Sequence, residues 1–200
     1  MSEQQRIKVL FLDRDGTINH DTGSYINSIE QFKLIERADE AIALAKQAGF
    51  RIVIVSNQAG IARGIATFEQ VDTVNSHLQS LLARKNATYD RCYYCPYHPN
   101  YPHPEYDLLA GFRKPETGMV EQAVAEFAAE GLQVDRSASF FVGDKVLDVE
   151  CGERAGLTSV LVRTGHNEEA LCYERNIHPA FVADDLYQAI TEFILPHSQE

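Results

Sequence analysis

The chain has 200 residues, 44% hydrophobic and 24% charged, with 29 acidic against 18 basic side chains and a formal net charge of −11. That apolar content supports a sizeable core and excludes wholesale disorder, and the length fits a single domain over 1–200. The acidic balance argues against unaided binding to nucleic acid or an anionic membrane, where clustered positive charge supplies the affinity.

In chain order, Ile7–Leu12 (IKVLFL) is the first short, continuous apolar run, as a strand buried on both faces should be. It ends in Asp13-Arg14-Asp15-Gly16-Thr17. Two carboxylates held this close need a cation or a proton between them. A hard divalent ion such as Mg2+ fits oxygen ligands, and would keep Asp13 ionised and aimed at an electrophile. Asp15 is then placed for general acid and base work. Taken alone, the segment is also an ordinary Asp-rich turn with Gly16 for backbone freedom.

The periodicity next predicts a helix over Ala38–Ala48, stopped by Gly49, and a strand over Arg51–Val55 (RIVIV). This strand leads into Ser56-Asn57-Gln58, whose hydroxyl and backbone N–H groups suit a phosphate oxygen. In Gly60-Ile61-Ala62-Arg63-Gly64, Arg63 is a bidentate phosphate grip or a solvated loop charge. A helix is expected over Thr67–Arg84. The segment Cys92–Phe112 then breaks the rhythm with Pro96, Pro99, Pro102 and Pro104, several tyrosines and two histidines. It lacks either period and reads as an ordered loop insertion, long enough to be suspected of function.

Arg113-Lys114-Pro115 precedes a helix expected over Thr117–Glu130. A lysine at a helix start is mildly disfavoured by the macrodipole. Here Lys114 could neutralise an attacking carboxylate and a transferring phosphoryl group. The strand Ser139–Val142 (SFFV) runs into Gly143-Asp144-Lys145-Val146-Leu147-Asp148, making Asp144 the obvious further carboxylate for the same ion. Asp148, one helical turn on, could orient Lys145 or a metal-bound water. A helix over Lys145–Ala155 ends at Gly156, followed by strands at Thr158–Val162 and, more weakly, Ala180–Ala183, and a helix at Asp185–Ile194. The end, Pro196–Glu200, is expected to fray. Strand–helix alternation means a doubly wound, Rossmann-like parallel α/β sheet that binds ligands at the carboxyl ends of its strands. Asp-x-Asp, Ser, Lys and Asp fall at four such loops.

These residues resemble the haloacid dehalogenase superfamily of phosphohydrolases. More narrowly, Phe11–Asn19, Ser56-Asn57-Gln58, Gly60–Gly64, Tyr93-Tyr94-Cys95-Pro96, Arg113-Lys114-Pro115 and Val142–Lys145 resemble its heptose bisphosphate phosphatases, with the histidinol phosphatases as cousins. The resemblance implies that Asp13 attacks phosphorus and becomes an aspartyl-phosphate, and that Asp15 protonates the leaving oxygen and then activates water. It implies Mg2+ on the side chains of Asp13 and Asp144 and the backbone carbonyl of Asp15, with Ser56 and Lys114 stabilising the phosphoryl group. Arg113 would recognise a small phosphorylated sugar with Lys145 nearby. Asp21, Thr22, Gly23 and Ser24, and Ser56, Asn57, Gln58 and Ala59, would line the pocket. No large cap is inserted, so specificity is expected from Asn19–Asn27 and Cys92–Phe112. A receiver-type phosphoacceptor domain is the non-enzyme alternative, disfavoured by pairing of Asp13 and Asp15 at one strand end.

The heptose phosphatases usually hold a structural zinc with Cys-x-His and Cys-x-Cys. Here Cys95 remains, Tyr97 stands at the histidine position, and Ala110-Gly111-Phe112 precede Arg113. Three of the four expected ligands are missing, so structural zinc is not expected. Cys92, Cys95, His98 and His103 are the set left for a site of different spacing. Four cysteines do not make a disulfide framework. No stretch approaches the about 18 apolar residues of a membrane span, and polar Met1–Arg6 shows no signal-peptide pattern. A cytoplasmic monomer is therefore the default expectation.

Overall fold

A computed structural model describes residues 5–198. The strands are β1 (Gln5–Leu12), β2 (Phe50–Asn57), β3 (Arg91–Cys95), β4 (Leu132–Val134), β5 (Phe140–Gly143), β6 (Thr158–Val162) and β7 (Phe181–Ala183). They form one sheet ordered β3-β2-β1-β5-β6-β7, with β4 paired to the start of β1. Every pairing is parallel. The helices are α1 (Ala38–Gln47), α2 (Phe68–Ala83), α3 (Gly118–Ala129), α4 (Val146–Arg154) and α5 (Glu169–Glu174). The chain closes with α6 (Leu186–Gln188), a wider π-helical stretch at Ala189–Ile194, and α7 (Leu195–His197). No helix among the described residues is long and apolar enough to cross a membrane.

The doubly buried strands account for the layers. Along β1 the pleat sends Leu10 and Leu12 into one core, with Ile42 of α1, Leu78 of α2 and Ile190. Val9 and Phe11 enter the other, with Met119, Ala123 and Phe127 of α3. Local chemistry bounds several helices: Thr67 caps the start of α2 in a reciprocal box with Gln70, and Gly49 and Gly156 follow the ends of α1 and α4 at positive φ. β1 lies between β2 and β5, so the chain crosses over in opposite directions on its two sides. A crevice forms outside the strand ends at such a reversal.

The sequence reading needs correction at Cys92–Phe112. It is not a loop throughout: Cys92–Cys95 belong to β3, and Asp107–Phe112 form a 3-10 helix. As an edge strand, β3 has no continuous apolar run. Tyr93 and Cys95 face one core, while Cys92 packs against the other, and the Tyr93 hydroxyl bonds Glu126 at 2.7 Å. Short β4 and α5 also went unforeseen. Of the end expected to fray, Pro196 and His197 lie in α7, and 199–200 lie outside the described residues, as do 1–4.

Candidate active site

The four loops meet at the carboxyl ends of β1, β2 and β5. Register pairs Leu12 with Ile54 on one side and Val142 on the other, and the Asp13 amide donates to Val142 O at 2.9 Å. The carboxylates of Asp13, Asp144 and Asp148 offer oxygens within 4.8 Å of one another. All three residues are buried. Lys114, delivered by the loop before α3, fills one flank of this cluster. Its ammonium lies 2.7 Å from Asp13 and 2.7 Å from Asp148, and also donates to Val55 O at 2.8 Å. Burial alone would push Lys114 down, but the two carboxylates outweigh it and hold the lysine charged, above its ordinary range. Asp148 pairs with Lys114, a partner the sequence did not point to, and its other oxygen accepts from the Lys145 amide at 3.1 Å.

One carboxylate remains under-compensated. Asp144 Oδ1 is buried with no hydrogen-bond partner, and the Lys145 ammonium stands 3.9 Å away. Asp144 Oδ2 accepts from the His166 amide at 2.8 Å. Burial, then the charge of Asp13, pushes the Asp144 carboxyl up to about 8. Burial likewise pushes Asp148 up to about 6, against the pull of Lys114. Three carboxylates facing one fully buried ammonium leave an anionic, all-oxygen donor set, the kind a hard divalent cation neutralises. The Asp144 carboxylate is wedged so tightly that a Cβ at Gly16 or Gly165 would strike it.

Asp15 behaves differently from Asp13. Its side chain turns to Arg14, whose guanidinium reaches Asp15 Oδ1 at 3.1 Å and Oδ2 at 3.0 Å. Asn19 donates to Oδ1 at 2.9 Å and Gln58 to Oδ2 at 2.7 Å. Burial raises this carboxyl, but the charge and hydrogen bonds of Arg14, with Asn19 and Gln58, prevail and hold it below the usual range. The resting group is ionised. An anionic substrate brought beside it pushes the carboxyl back up, which is the direction a general acid requires.

Above these groups opens a cleft of about 300 Å³. Asp13, Asp15, Ser56 and Lys114 line its floor, and Asp21, Gly23, Ser24, Asn57, Ala59, Arg63, Arg113 and Lys145 its walls. Gln58 is buried beneath, linking Asp15 to the Ser56 hydroxyl at 2.8 Å. Thr22 bonds Ser24 and is not part of the lining. Asn57 pins the Lys114 backbone in both directions, at 3.2 and 3.1 Å. Arg113 is steadied by Tyr97 O at 3.0 Å. In this acidic protein the cleft therefore concentrates Lys114, Lys145, Arg63 and Arg113.

The sequence reading missed Tyr25, Leu147 and His166, which also line the cleft. The Arg63 guanidinium lies over the rings of both Tyr25 and Tyr101, at 5.4 and 5.2 Å from their centroids. The His166 ring meets Asp21 at 3.0 Å. His166 sits in the loop after β6, so the rule of searching each post-strand loop would have reached it. The buried Arg14 was signalled only by its place between two aspartates.

Cys92, Cys95, His98 and His103 do not converge. Among the described residues the aspartate trio is the one group of three or more such side chains close enough for an ion. Cys95 bonds Leu109 O, His98 packs edge-on against Tyr101, and His103 stacks on Tyr106. All four cysteines are free thiols.

Comparison with known proteins places these features in a family. Residues 111–189 match a family model described as HAD-hydrolase-like. The chain is 65% identical over 188 residues to a D-glycero-D-manno-heptose-1,7-bisphosphate 7-phosphatase of Chlorobaculum tepidum, covering 94% of each. It is 40% identical over 160 residues to the D-glycero-beta-D-manno-heptose-1,7-bisphosphate 7-phosphatase of Escherichia coli K12, covering 80% of this chain and 81% of that one. A crystal structure of D,D-heptose 1,7-bisphosphate phosphatase from B. bronchiseptica, complexed with magnesium and phosphate, superposes with a TM-score of 0.81 at 25% identity, covering 95% of this chain and 99% of that one.

Proposed function

Because the chain belongs to the haloacid dehalogenase-like hydrolases, and within them to the heptose bisphosphate phosphatases, we propose that it is a Mg2+-dependent phosphomonoesterase that removes the 7-phosphate of D-glycero-D-manno-heptose 1,7-bisphosphate. The observation that carries this reading is the convergence of Asp13, Asp144 and Lys114 under one cationic cleft.

Asp13 is the nucleophile. Its carboxylate is held by the Lys114 ammonium at 2.7 Å and faces the cleft floor. Attack on phosphorus forms an aspartyl-phosphate and splits one hard hydrolysis into two displacements. Asp15 gives its proton to the departing C7 oxygen, then takes one from the water that cleaves the intermediate. Lys114 and the Ser56 hydroxyl hold the equatorial phosphoryl oxygens, since phosphoryl transfer is accelerated mainly by positioning and charge neutralisation. Mg2+ would be held by the Asp13 and Asp144 side chains and the Asp15 backbone carbonyl, supplying charge neutralisation to the transferring group. The orphaned Asp144 Oδ1 supports that assignment. Arg113, Arg63 and Lys145 provide positive charge for the phosphate that stays on the sugar. Asp21, Gly23, Ser24, Asn57 and Ala59 shape the surrounding wall, with Thr22 bracing Ser24 and Gln58 supporting Asp15 and Ser56 from beneath, and with specificity set by short loops over a single domain without an inserted cap. The reading implies a cytoplasmic monomer supplying cell-surface lipopolysaccharide synthesis.

Steady-state phosphate release with Mg2+ tests the substrate. Heptose 1,7-bisphosphate is expected to exceed histidinol phosphate by about 10⁴-fold in kcat/KM, the scale reached when a site's polar groups are left unpaired by the wrong substrate. Equal or reversed values would assign the chain to the histidinol-phosphatase group instead.

A further inference from the structure

Helix α2 buries one stripe against the sheet: Val71, Val74, Asn75, Leu78 and Leu82. Asn75 is the one polar member. Asparagine is a poor helix former, and burying its amide is costly unless a partner compensates. Its partner is Arg14, the largest fully buried side chain among the described residues. Arg14 Nη1 donates to Asn75 Oδ1 at 2.7 Å, shorter than any of its contacts with Asp15. The helix turn carrying Asn75 is itself tied down, because the Tyr89 hydroxyl donates to Asn75 O at 3.1 Å.

These contacts form a line from the helix to the reacting group. α2 fixes Asn75, Asn75 fixes one edge of the guanidinium, and the other edge forks onto both oxygens of Asp15. A planar guanidinium transmits orientation because its donors are rigidly related. Without the Asn75 acceptor, one buried N–H loses its partner and the fork loses the contact that sets its rotation. Asn19 and Gln58 would still touch Asp15, yet each holds only one oxygen.

We infer that Asn75 is a positioning residue for the reaction: through Arg14 it aims the Asp15 carboxyl at the leaving-group oxygen. This rests on the role of Asp15 given under Proposed function. It assigns a part in the chemistry to a helix that does not line the cleft. Its signature is selective. A sugar alkoxide needs a proton as it leaves, whereas a nitrophenolate leaves unaided. Loss of aim therefore penalises the first and spares the second. A merely structural Asn75 would penalise both alike.

The experiment measures kcat/KM, which reports steps through transfer to Asp13, for heptose 1,7-bisphosphate and p-nitrophenyl phosphate in the intact Mg2+-loaded protein. Asn75→Leu is expected to lower the sugar-phosphate value about 10-fold, part of the about 10²–10⁴-fold that acid catalysis supplies, and the aryl value less than about twofold. Asn75→Asp, which keeps an acceptor toward Arg14, is expected to restore most of the loss. Asp15→Asn separates the two claims. If it shows the selective loss while Asn75→Leu lowers both substrates in parallel, or neither, the brace is refuted and the acid assignment stands. If Asp15→Asn itself lowers both in parallel, the acid assignment falls and takes the brace with it. If Asn75→Leu fails to fold, Asn75→Asp and Asn75→Ser decide, since only the variant that keeps Arg14 aligned should retain the wild-type ratio between substrates.

Discussion

Replacing Lys114 by methionine removes a buried ammonium while keeping the length of the chain. The wild-type group is 2% exposed and has carboxylate oxygens at 2.7 Å on two sides. Coulomb's law at an effective dielectric of about 20 gives roughly 6 kcal/mol for each contact. The cost of burying the ammonium takes back several kcal/mol. Breaking such a pair from one side, leaving the partner charges unmatched, costs about 3–5 kcal/mol. For a chain of this size that is a fall in Tm of about 6–20 °C. Urea unfolding of metal-free protein reads the change, and it should persist at high salt because buried charges are poorly screened. Arg154→Met serves as the comparison: its pair with Glu116 at 2.8 Å is exposed and should contribute under about 1 kcal/mol. Phosphate release by Lys114→Met should fall at least about 10²-fold, the scale of losing one preorganised charge partner. A stability loss below about 1 kcal/mol would refute the picture of Lys114 as the counter-charge of this cluster.

Other expectations follow from the same geometry. Asp13→Asn should abolish turnover, by about 10³–10⁶-fold as when a covalent nucleophile is removed. Its circular dichroism and unfolding midpoint should stay near wild type, because the change also relieves repulsion with Asp144; near-normal turnover would mean another nucleophile. In metal-free protein, burial and the charge of Asp13 push the Asp144 carboxyl up to about 8. A carboxyl raised by folding stabilises fully below its unfolded pKa, and that contribution is lost as pH rises through the folded value. Chelated protein should therefore lose stability between about pH 5 and 8, while Mg2+ should raise Tm far more at about pH 8 than at pH 5. A Mg2+ effect independent of pH would exclude Asp144 as its ligand. Gly165→Ala drives a methyl into the Asp144 carboxylate. It should cost about 1–3 kcal/mol as overpacking does and weaken Mg2+ binding in titration calorimetry; unchanged affinity would show that Asp144 can move without consequence.

Much of this was legible in the sequence because the central strands are buried on both faces. IKVLFL, RIVIV and SFFV announce themselves as short, strongly apolar runs, and the loops after them carry Asp13, Ser56 and Asp144. Local patterns reached no further. β3 is an edge strand, RCYYC, in which adjacent Tyr93 and Tyr94 blur any alternation and a proline follows directly, so neither period stands out. Asp148 lies one helical turn past Asp144, and only the fold reveals that its partner is Lys114, brought from a distant loop. Asn75 carries no sequence signal beyond a polar residue in an apolar stripe. Its meaning depends on Arg14, 61 positions earlier.

The most direct test is rapid acid quenching during a single turnover of heptose 1,7-bisphosphate radiolabelled in the 7-phosphate, followed by peptide mapping. Label should pass transiently through the peptide bearing Asp13, vanish from that peptide in Asp13→Asn, and leave unlabelled heptose 1-phosphate as product. Label that goes straight to inorganic phosphate without touching the protein, or that settles on another side chain, would contradict the covalent role of Asp13.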